Sequence, residues 1–367
     1  MSGSFAFGFS GDDIEDGDGI GRGEAEQPRR PKASSSTANS AEQEVTTSAP
    51  AQAHDVEKLL ATLPSQISYS SIEIESPKGK KLLLPRRELF DIRMQLAAED
   101  DGDDDNEAEL SNLEGSDIRT NVYEGGFKSW ECSIDLARLL LDRGPRKDID
   151  DLCRVDHVIE LGCGTAIPTL ILFHYALVSE LSIYFTLSDF NAAVLRLVTL
   201  PNLLLTWAST VAEMDAPFSA ASPNPLATSP AGELEVTPTL TKAFLSTLRN
   251  QNLILNLISG SWSPAPQFTN LISHAPEMNT LVLASETIYS SASLSTFTEA
   301  LIGILKRVRM GKAMVAAKRV YFGVGGSVDT FKTECAGGGA VAYEIDNTGM
   351  DLDASGVRRC LMEVQMM

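Results

Sequence analysis

The sequence predicts an α/β fold, a mostly parallel sheet with helices on both faces, behind a largely disordered acidic N-terminal extension. Three observations carry this reading. From Ile118 onward, apolar runs of strand length alternate with stretches of helical spacing, the pattern of a parallel sheet with right-handed crossovers. A glycine-rich turn, Gly162-Cys163-Gly164, lies between the first such strand and its helix. The acid is concentrated at one end: residues 1–118 hold 25 Asp+Glu against 11 Lys+Arg, net −14, and residues 119–367 hold 25 against 19, net −6, of the chain's −20.

The elements follow in order. Residues 1–55 are expected as a disordered tail, because 10–55 are rich in Gly, Ser, Asp, Glu and Pro and carry too little apolar surface to offset chain entropy. At its start Phe5, Phe7 and Phe9 alternate like a short strand or docking peptide, or are apolar residues in a loose tail. Residues 56–118 read as an extension. Val56, Leu59, Leu60 and Leu63 have helical spacing, Ile67 to Ile74 suggest extended chain, and Leu82–Leu84 a short strand. Ten acids and no base from Glu99 to Asp117 make a self-repelling solvated linker. The remainder, 119–367, reads as the α/β domain. Its predicted strands are Arg154–Leu161, Ser182–Leu187, Leu253–Ile258, Thr280–Ser285 and Ala313–Ala317, with Val341–Ile345 and Val357–Met366 closing the sheet. Its predicted helices are Ala166–Ser179, Ala192–Ala208 interrupted by Pro201, and Ser293–Val308. Pro217–Pro238 carries five prolines and no Lys or Arg, so residues 213–252 are expected as a surface insertion.

Several function classes are disfavoured. An acidic chain without a basic stripe does not suit direct nucleic-acid binding. Five widely spaced cysteines without a CxxC, and four unclustered histidines, suit neither a disulfide framework nor a metal site, and point to a reducing compartment. No stretch is expected to reach the roughly 18 apolar residues of a membrane span, and no secretory leader is expected.

The chemistry-bearing runs sit at strand ends. Glu160-Leu161-Gly162-Cys163-Gly164-Thr165-Ala166 places glycines where a chain turns tightly and a ligand approaches the main chain. A dinucleotide fingerprint needs a third glycine at position 167, which is Ile167, so a nicotinamide cofactor is disfavoured. Asp189, 27 residues beyond Gly162, ends the second strand. There an acid accepts hydrogen bonds from ribose hydroxyls, or caps the next helix. Gly260-Ser261-Trp262 and Ser285-Glu286-Thr287-Ile288-Tyr289 end the third and fourth strands. The indole of Trp262 bounds a base or fills core.

The run Glu160–Ala166 resembles the first motif of class I, seven-strand, S-adenosylmethionine-dependent methyltransferases, a Rossmann-like fold. Val122 to Cys132 (VYEGGFKSWEC), VTLPN at Val198–Asn202, SETIY at Ser285–Tyr289, and Tyr321 to Gly326 (YFGVGG) are similar to the protein-histidine N-methyltransferases that modify a large-subunit ribosomal protein. The opening FAFGFSGDDIED shares that likeness. The resemblance implies S-adenosylmethionine as cofactor, held by Trp130, Glu131, Gly162, Gly164, Asp189, Asn191, Gly260, Trp262 and Ser285. It implies a ribosomal protein substrate, a monomer, no membrane or nucleic-acid partner, and a cytoplasmic and nuclear location. Ala166 stands where Gly is commoner, and Val320 where relatives often carry His. The short C-terminal part leads to an expectation of trimmed last strands.

A neutral imidazole, with reference pKa about 6.5, needs no strong base to attack a methyl group, only an acceptor for the N–H of its other nitrogen. Glu286 or the Tyr321–Gly326 loop is the candidate acceptor by position, with Glu286 and Tyr321 as the candidate catalytic residues. A helix cap for Glu286, core packing for Tyr321 and Phe322, and a helix-start staple for Trp130 and Glu131 are the plainer readings. A lysine methyltransferase of the same fold and a non-catalytic cofactor-binding scaffold in ribosome assembly are the rival functions.

Overall fold

The computed structural model describes residues 49–99, 126–147, 155–321, 323, 325–345, 349–352 and 356–367. The Phe-alternating start, most of the acidic run 99–117, Tyr123–Gly125, Phe322 and Val324 lie outside them.

In chain order the elements are β1 (Gln52–His54), α1 (Val56–Leu60), β2 (Gln66–Glu75), β3 (Lys81–Arg87), α2 (Leu89–Ala98), α3 (Glu131–Lys147), β4 (His157–Leu161), α4 (Ile167–Val178) and β5 (Tyr184–Asp189). There follow α5 (Ala192–Ser209), α6 (Pro225–Thr228), β6 (Ala231–Glu235), α7 (Pro238–Gln251), β7 (Ile254–Ser259), α8 (Ala265–Thr269), β8 (Thr280–Ser285) and α9 (Ser291–Leu305). The last are β9 (Gly311–Lys318), α10 (Val328–Gly337), β10 (Ala340–Glu344) and β11 (Arg359–Met366).

The main sheet runs β1-β7-β5-β4-β8-β9-β11-β10. The five strands β7, β5, β4, β8 and β9 are parallel, and β1, β11 and β10 are joined antiparallel. This is the predicted seven-strand α/β architecture with one added edge strand. The central β4, HVIEL, is buried along its whole length, as a strand covered on both faces must be. Successive residues feed opposite cores. Val158, Leu281, Leu283 and Met314 pack toward α3, α4, α5 and α7. Ile159, Leu161, Val282, Ala284 and Val315 pack toward α8, α9 and α10. Neither closing strand is trimmed: β10 and β11 pair over five positions and β11 and β9 over seven.

Three departures from the sequence reading have physical causes. The stretch 213–252, expected as a surface insertion, holds β6 and α7. β6 pairs with β2 to complete a second sheet, β3-β2-β6, and α7 buries Leu240, Phe244 and Leu248 as the crossover into β7. Two of its five prolines, Pro225 and Pro238, sit at helix first turns, where a missing N–H costs nothing. Second, Pro201 does not interrupt α5. A π-helical turn at Leu195–Thr199 precedes it, and the Leu197 carbonyl accepts instead from Nη1 of Arg87, 3.1 Å away. α5 is also apolar and long enough, by composition, to cross a membrane, contrary to the sequence expectation, but 83% of that window is buried in the core.

Third, the expected tail boundary at residue 55 falls too late. β1 pairs with β7, Gln52 with Ser259 and His54 with Leu257. The Ser261 N–H donates to Ala49 O at 2.9 Å, and His54 Nε2 and Ser259 Oγ lie 2.7 Å apart. Gly260, at φ +100°, lets the two segments meet, since a Cβ there would lie 2.4 Å from Pro50 O. Gly260→Ala is therefore expected to cost about 1–3 kcal/mol in chemical denaturation and to speed amide exchange over residues 51–54; native stability together with unchanged exchange contradicts this account of the edge.

Candidate functional site

The carboxyl ends of β4, β5, β7, β8 and β9 frame a cleft of about 230 Å³, the position where open α/β sheets bind ligands. The turn after β4 forms its floor. Gly162 and Gly164 have φ +68° and +48°. A Cβ on Gly162 would come within 2.9 Å of Thr287 Cγ2, and one on Gly164 within 3.0 Å of Gly126 O. Four hydrogen bonds hold the turn: Gly164 N–H to Asp189 Oδ2 (2.9 Å), Cys163 N–H to Ser188 O (2.9 Å), Thr199 Oγ1 to Gly164 O (2.7 Å) and Asn202 Nδ2 to Thr165 O (3.0 Å). Thr199 and Asn202 come from α5, so the helix carrying VTLPN fixes the turn from behind.

Of the eleven residues singled out in the sequence, nine line the cleft: Trp130, Gly162, Gly164, Asp189, Gly260, Trp262, Ser285, Glu286 and Tyr321. Glu131 and Asn191 do not line it. Glu131 opens α3 with its side chain about half exposed, 4.0 Å from Lys318 Nζ. Asn191 is the N-cap of α5, its side chain accepting from Ala193 N–H. The capping role open to Asp189 therefore falls to its neighbour two residues on. Asp189 instead accepts one backbone N–H on each oxygen, from Gly164 and Asn191. A carboxylate has about four acceptor positions, so about two remain. Burial raises its pKa to about 6 despite those donors. Trp262 donates Nε1–H to Ser188 Oγ at 3.1 Å and sets its ring edge beside Gly162.

The other end of the cleft holds a linked polar group. Tyr321 O–H donates to Glu286 Oε2 at 2.7 Å, and the Lys318 backbone N–H donates to the Tyr321 oxygen at 3.2 Å. Burial, with the Glu286 charge beside it, drives the Tyr321 hydroxyl pKa well up. Glu286 is itself in the left-handed region, φ +56°, a conformation a non-glycine residue adopts only under constraint. Its Oε1 is buried and accepts no hydrogen bond. Lys318 Nζ stands 3.6 Å from that oxygen. The capping reading of Glu286 does not hold, because Ser290 and Ser293 form a capping box on α9. Tyr321 belongs to the core on the α9 and α10 side of the sheet and also lines the cleft.

Lys128, Ser133 and Tyr289, which belong to or adjoin the runs VYEGGFKSWEC and SETIY, also line the cleft, and so does Lys318, which the sequence reading missed. For Lys318 a signal existed: it directly follows the fifth predicted strand, at the carboxyl edge where Gly162, Asp189, Gly260 and Ser285 also lie.

No family model matches the chain. It is 37% identical over 345 residues to "Histidine protein methyltransferase 1" of Saccharomyces cerevisiae, covering 90% of this chain and 89% of that protein. The Schizosaccharomyces pombe protein of the same name is 36% identical over 277 residues, 75% of this chain and 74% of that one. The chain belongs to the histidine protein methyltransferase 1 family. Its Rattus norvegicus homolog is 28% identical over 251 residues, 68% of this chain and 59% of that one. Among solved structures, a putative class I S-adenosylmethionine-dependent methyltransferase from Listeria monocytogenes aligns at TM-score 0.35 and 11% identity, over 76% of this chain and 68% of that one. As a histidine protein methyltransferase, the chain has a nitrogen acceptor to place in the cleft, and Glu286 Oε1 is a buried oxygen there with an open acceptor position.

Beneath the turn, Glu160 is fully buried, with Oε2 accepting from Thr169 N–H (3.1 Å) and Oε1 accepting nothing. Burial raises its pKa from 4.5 to about 8. Because the folded value lies above the unfolded one, the folded state binds the extra proton between about pH 4.5 and 8, and stability is lost as pH rises through that window. Glu160→Gln removes the titration. Its melting temperature is expected to match the parent near pH 5 and exceed it by several degrees at pH 9; a pH-independent difference contradicts the buried acid.

Proposed function

We propose that this protein transfers a methyl group from S-adenosylmethionine to an imidazole nitrogen of a histidine in a large-subunit ribosomal protein, working in the cytoplasm and nucleus. The observation that carries the reading is the two-ended cleft: a glycine cradle beside a buried acid at one end, and a buried unsatisfied carboxylate oxygen at the other.

The residues fit the donor. Gly162 and Gly164 bring bare backbone to the cleft floor, where a side chain would collide. Asp189 keeps acceptor capacity for two hydroxyls of a ribose. By the family resemblance Ser261 and Trp262 would bound the adenine and Ser133 the amino-acid end, and all three line the cleft. When bound, the donor supplies an electrophilic methyl group on a sulfonium.

The chain's work is alignment, exclusion of water and tautomer control. Glu286 Oε1 accepts the N–H of one imidazole nitrogen, which leaves the lone pair of the other free to attack. Tyr321, by donating to Oε2, fixes the carboxylate's orientation. As the attacking nitrogen takes the methyl group, the methyl–sulfur bond breaks with its electron pair going to sulfur, and the N–H of the second ring nitrogen becomes more acidic and tightens its hydrogen bond to Glu286 Oε1. The proton on the second nitrogen then leaves to solvent by way of the carboxylate.

The ribosomal target is supported by the likeness of Val122–Cys132 and Tyr321–Gly326 to the enzymes that act there, and by charge. A chain of net −20, with most of the excess in its first third, complements a basic ribosomal protein. Incubation with methyl-labelled S-adenosylmethionine and large-subunit proteins, followed by acid hydrolysis, is expected to yield labelled methylhistidine. Methyllysine as the sole product, or no incorporation, rejects the proposal.

With the same substrate, Glu286→Gln is expected to lower kcat by about 10²-fold while binding S-adenosylhomocysteine as tightly as the parent. Undiminished turnover takes Glu286 out of the mechanism.

A further inference from the structure

At the acceptor end Lys318 stands beside a cleft carboxylate, Glu286, and over an aromatic face, Trp130, with Glu131 outside the cleft beyond it. Its Nζ lies 3.6 Å from Glu286 Oε1, 4.0 Å from Glu131 Oε2 and 5.3 Å from the centroid of the Trp130 ring. A carboxylate and an aromatic face are what a protein uses to bind an ammonium group. Here both are already engaged by an ammonium belonging to the chain itself.

We infer that Lys318 sets the acceptor selectivity of this enzyme: it occupies the cation-binding features of the acceptor subsite, so that a neutral imidazole enters and an alkylammonium or a protonated imidazole is turned away. The inference rests on the methyl-transfer reading of the same site.

The physical difference lies between the two kinds of acceptor. A neutral imidazole asks Glu286 for one hydrogen bond, and Oε1 has that capacity with Lys318 alongside. A lysine side chain, with reference pKa about 10.4, arrives charged at neutral pH. Taken out of water it needs a counter-charge of its own, and the Glu286 charge is already matched. The charged and titratable groups around the subsite come from four places. Glu286 and Tyr321 follow β8 and β9, Glu131 and Cys132 open α3, and Lys128 lines the cleft ahead of α3. Behind them Asp135 is paired with Arg359 at 2.5 Å. Cys132 and Tyr321 are both buried beside Glu286 and held neutral by burial and by that charge. The mobile charge balance at the subsite is therefore set by Glu286, Glu131, Lys318 and Lys128.

Lys318 acts through Glu286 and Trp130 and is a positioning residue. The test uses the full chain saturated with S-adenosylhomocysteine, with 4-methylimidazole and n-butylammonium as probes of the empty acceptor subsite, read by ligand-observed NMR across pH 5.5–8.5. The parent is expected to bind 4-methylimidazole better as pH rises and its neutral form takes over, and to bind n-butylammonium at least about tenfold more weakly. In Lys318→Gln and Lys318→Met the order is expected to reverse, with a tenfold or greater gain for n-butylammonium and with 4-methylimidazole binding better at low pH. Lys318→Arg is expected to keep the parent's order. Thermal melts confirm that each variant is folded, and either neutral variant suffices. Unchanged probe preference in a folded neutral variant overturns the inference. So does loss of the parent's order in Lys318→Arg. Binding of S-adenosylhomocysteine by the parent with no methylhistidine formed on ribosomal protein defeats the functional proposal instead, and the probe experiment reads Lys318 independently of that result.

Discussion

The hydrogen bond from Gly164 N–H to Asp189 is the contact on which the rest of the site depends. It joins the turn after β4 to the end of β5, and so fixes these two neighbouring strands to each other at their carboxyl ends. The cost is high, because Asp189 is buried and its charged form is disfavoured there. The return is a turn whose backbone is already in place before any ligand arrives, which is what preorganisation means in chemical terms. Every other support of the turn works in concert with this one: Thr199 and Asn202 hold its carbonyls, and Ser188 holds its middle amide.

Those supports explain an otherwise odd helix. α5 is apolar enough to pass for a membrane span, yet it carries Thr199, Pro201 and Asn202 in its buried middle. The π-helical turn and the proline together free backbone and side-chain groups that an unbroken α-helix would keep to itself. Arg87 uses one of them, donating to Leu197 O, and its own N–H is accepted by Asn202 Oδ1 at 2.8 Å. Asn202 thus bridges the small sheet to the Thr165 carbonyl. The N-terminal extension reaches the floor of the cleft through the Asn202 amide, and again through Arg86, which donates to Ser129 Oγ at 3.1 Å while Ser129 Oγ donates to Thr165 Oγ1 at 3.1 Å.

Much of this was legible in the sequence. Strand β8 was placed to the residue, because TLVLAS is apolar, β-rich and bounded by polar turns. The motif after β4 and the acid ending β5 were visible because their chemistry requires particular residue types at strand ends. What was not legible has a common cause. β1 is three residues long, and its pairing with β7 lies about two hundred residues away, so no local pattern announces it. β6, in the chain GELE, has only Leu234 buried, and its partner β2 is likewise distant. Lys318 was passed over because a lysine ending a strand is unremarkable until Trp130 and Glu286, from two other elements, are brought around it. Asn191 and Glu131 enter the site only through the family resemblance, and the local geometry makes the side chain of the first a helix cap and leaves that of the second half exposed.

The pairing of β1 with β7 also bears on how the chain is made. Ribosomal synthesis runs from the amino terminus, so Gln52–His54 leaves the exit tunnel long before Ile254–Ser259 exists. This rim of the sheet is accordingly translated about two hundred residues ahead of its partner strand and cannot dock until that strand has been made. During that interval the segment is an unpaired β-edge, and its short length and the charged Asp55 beside it limit what else it can zip onto.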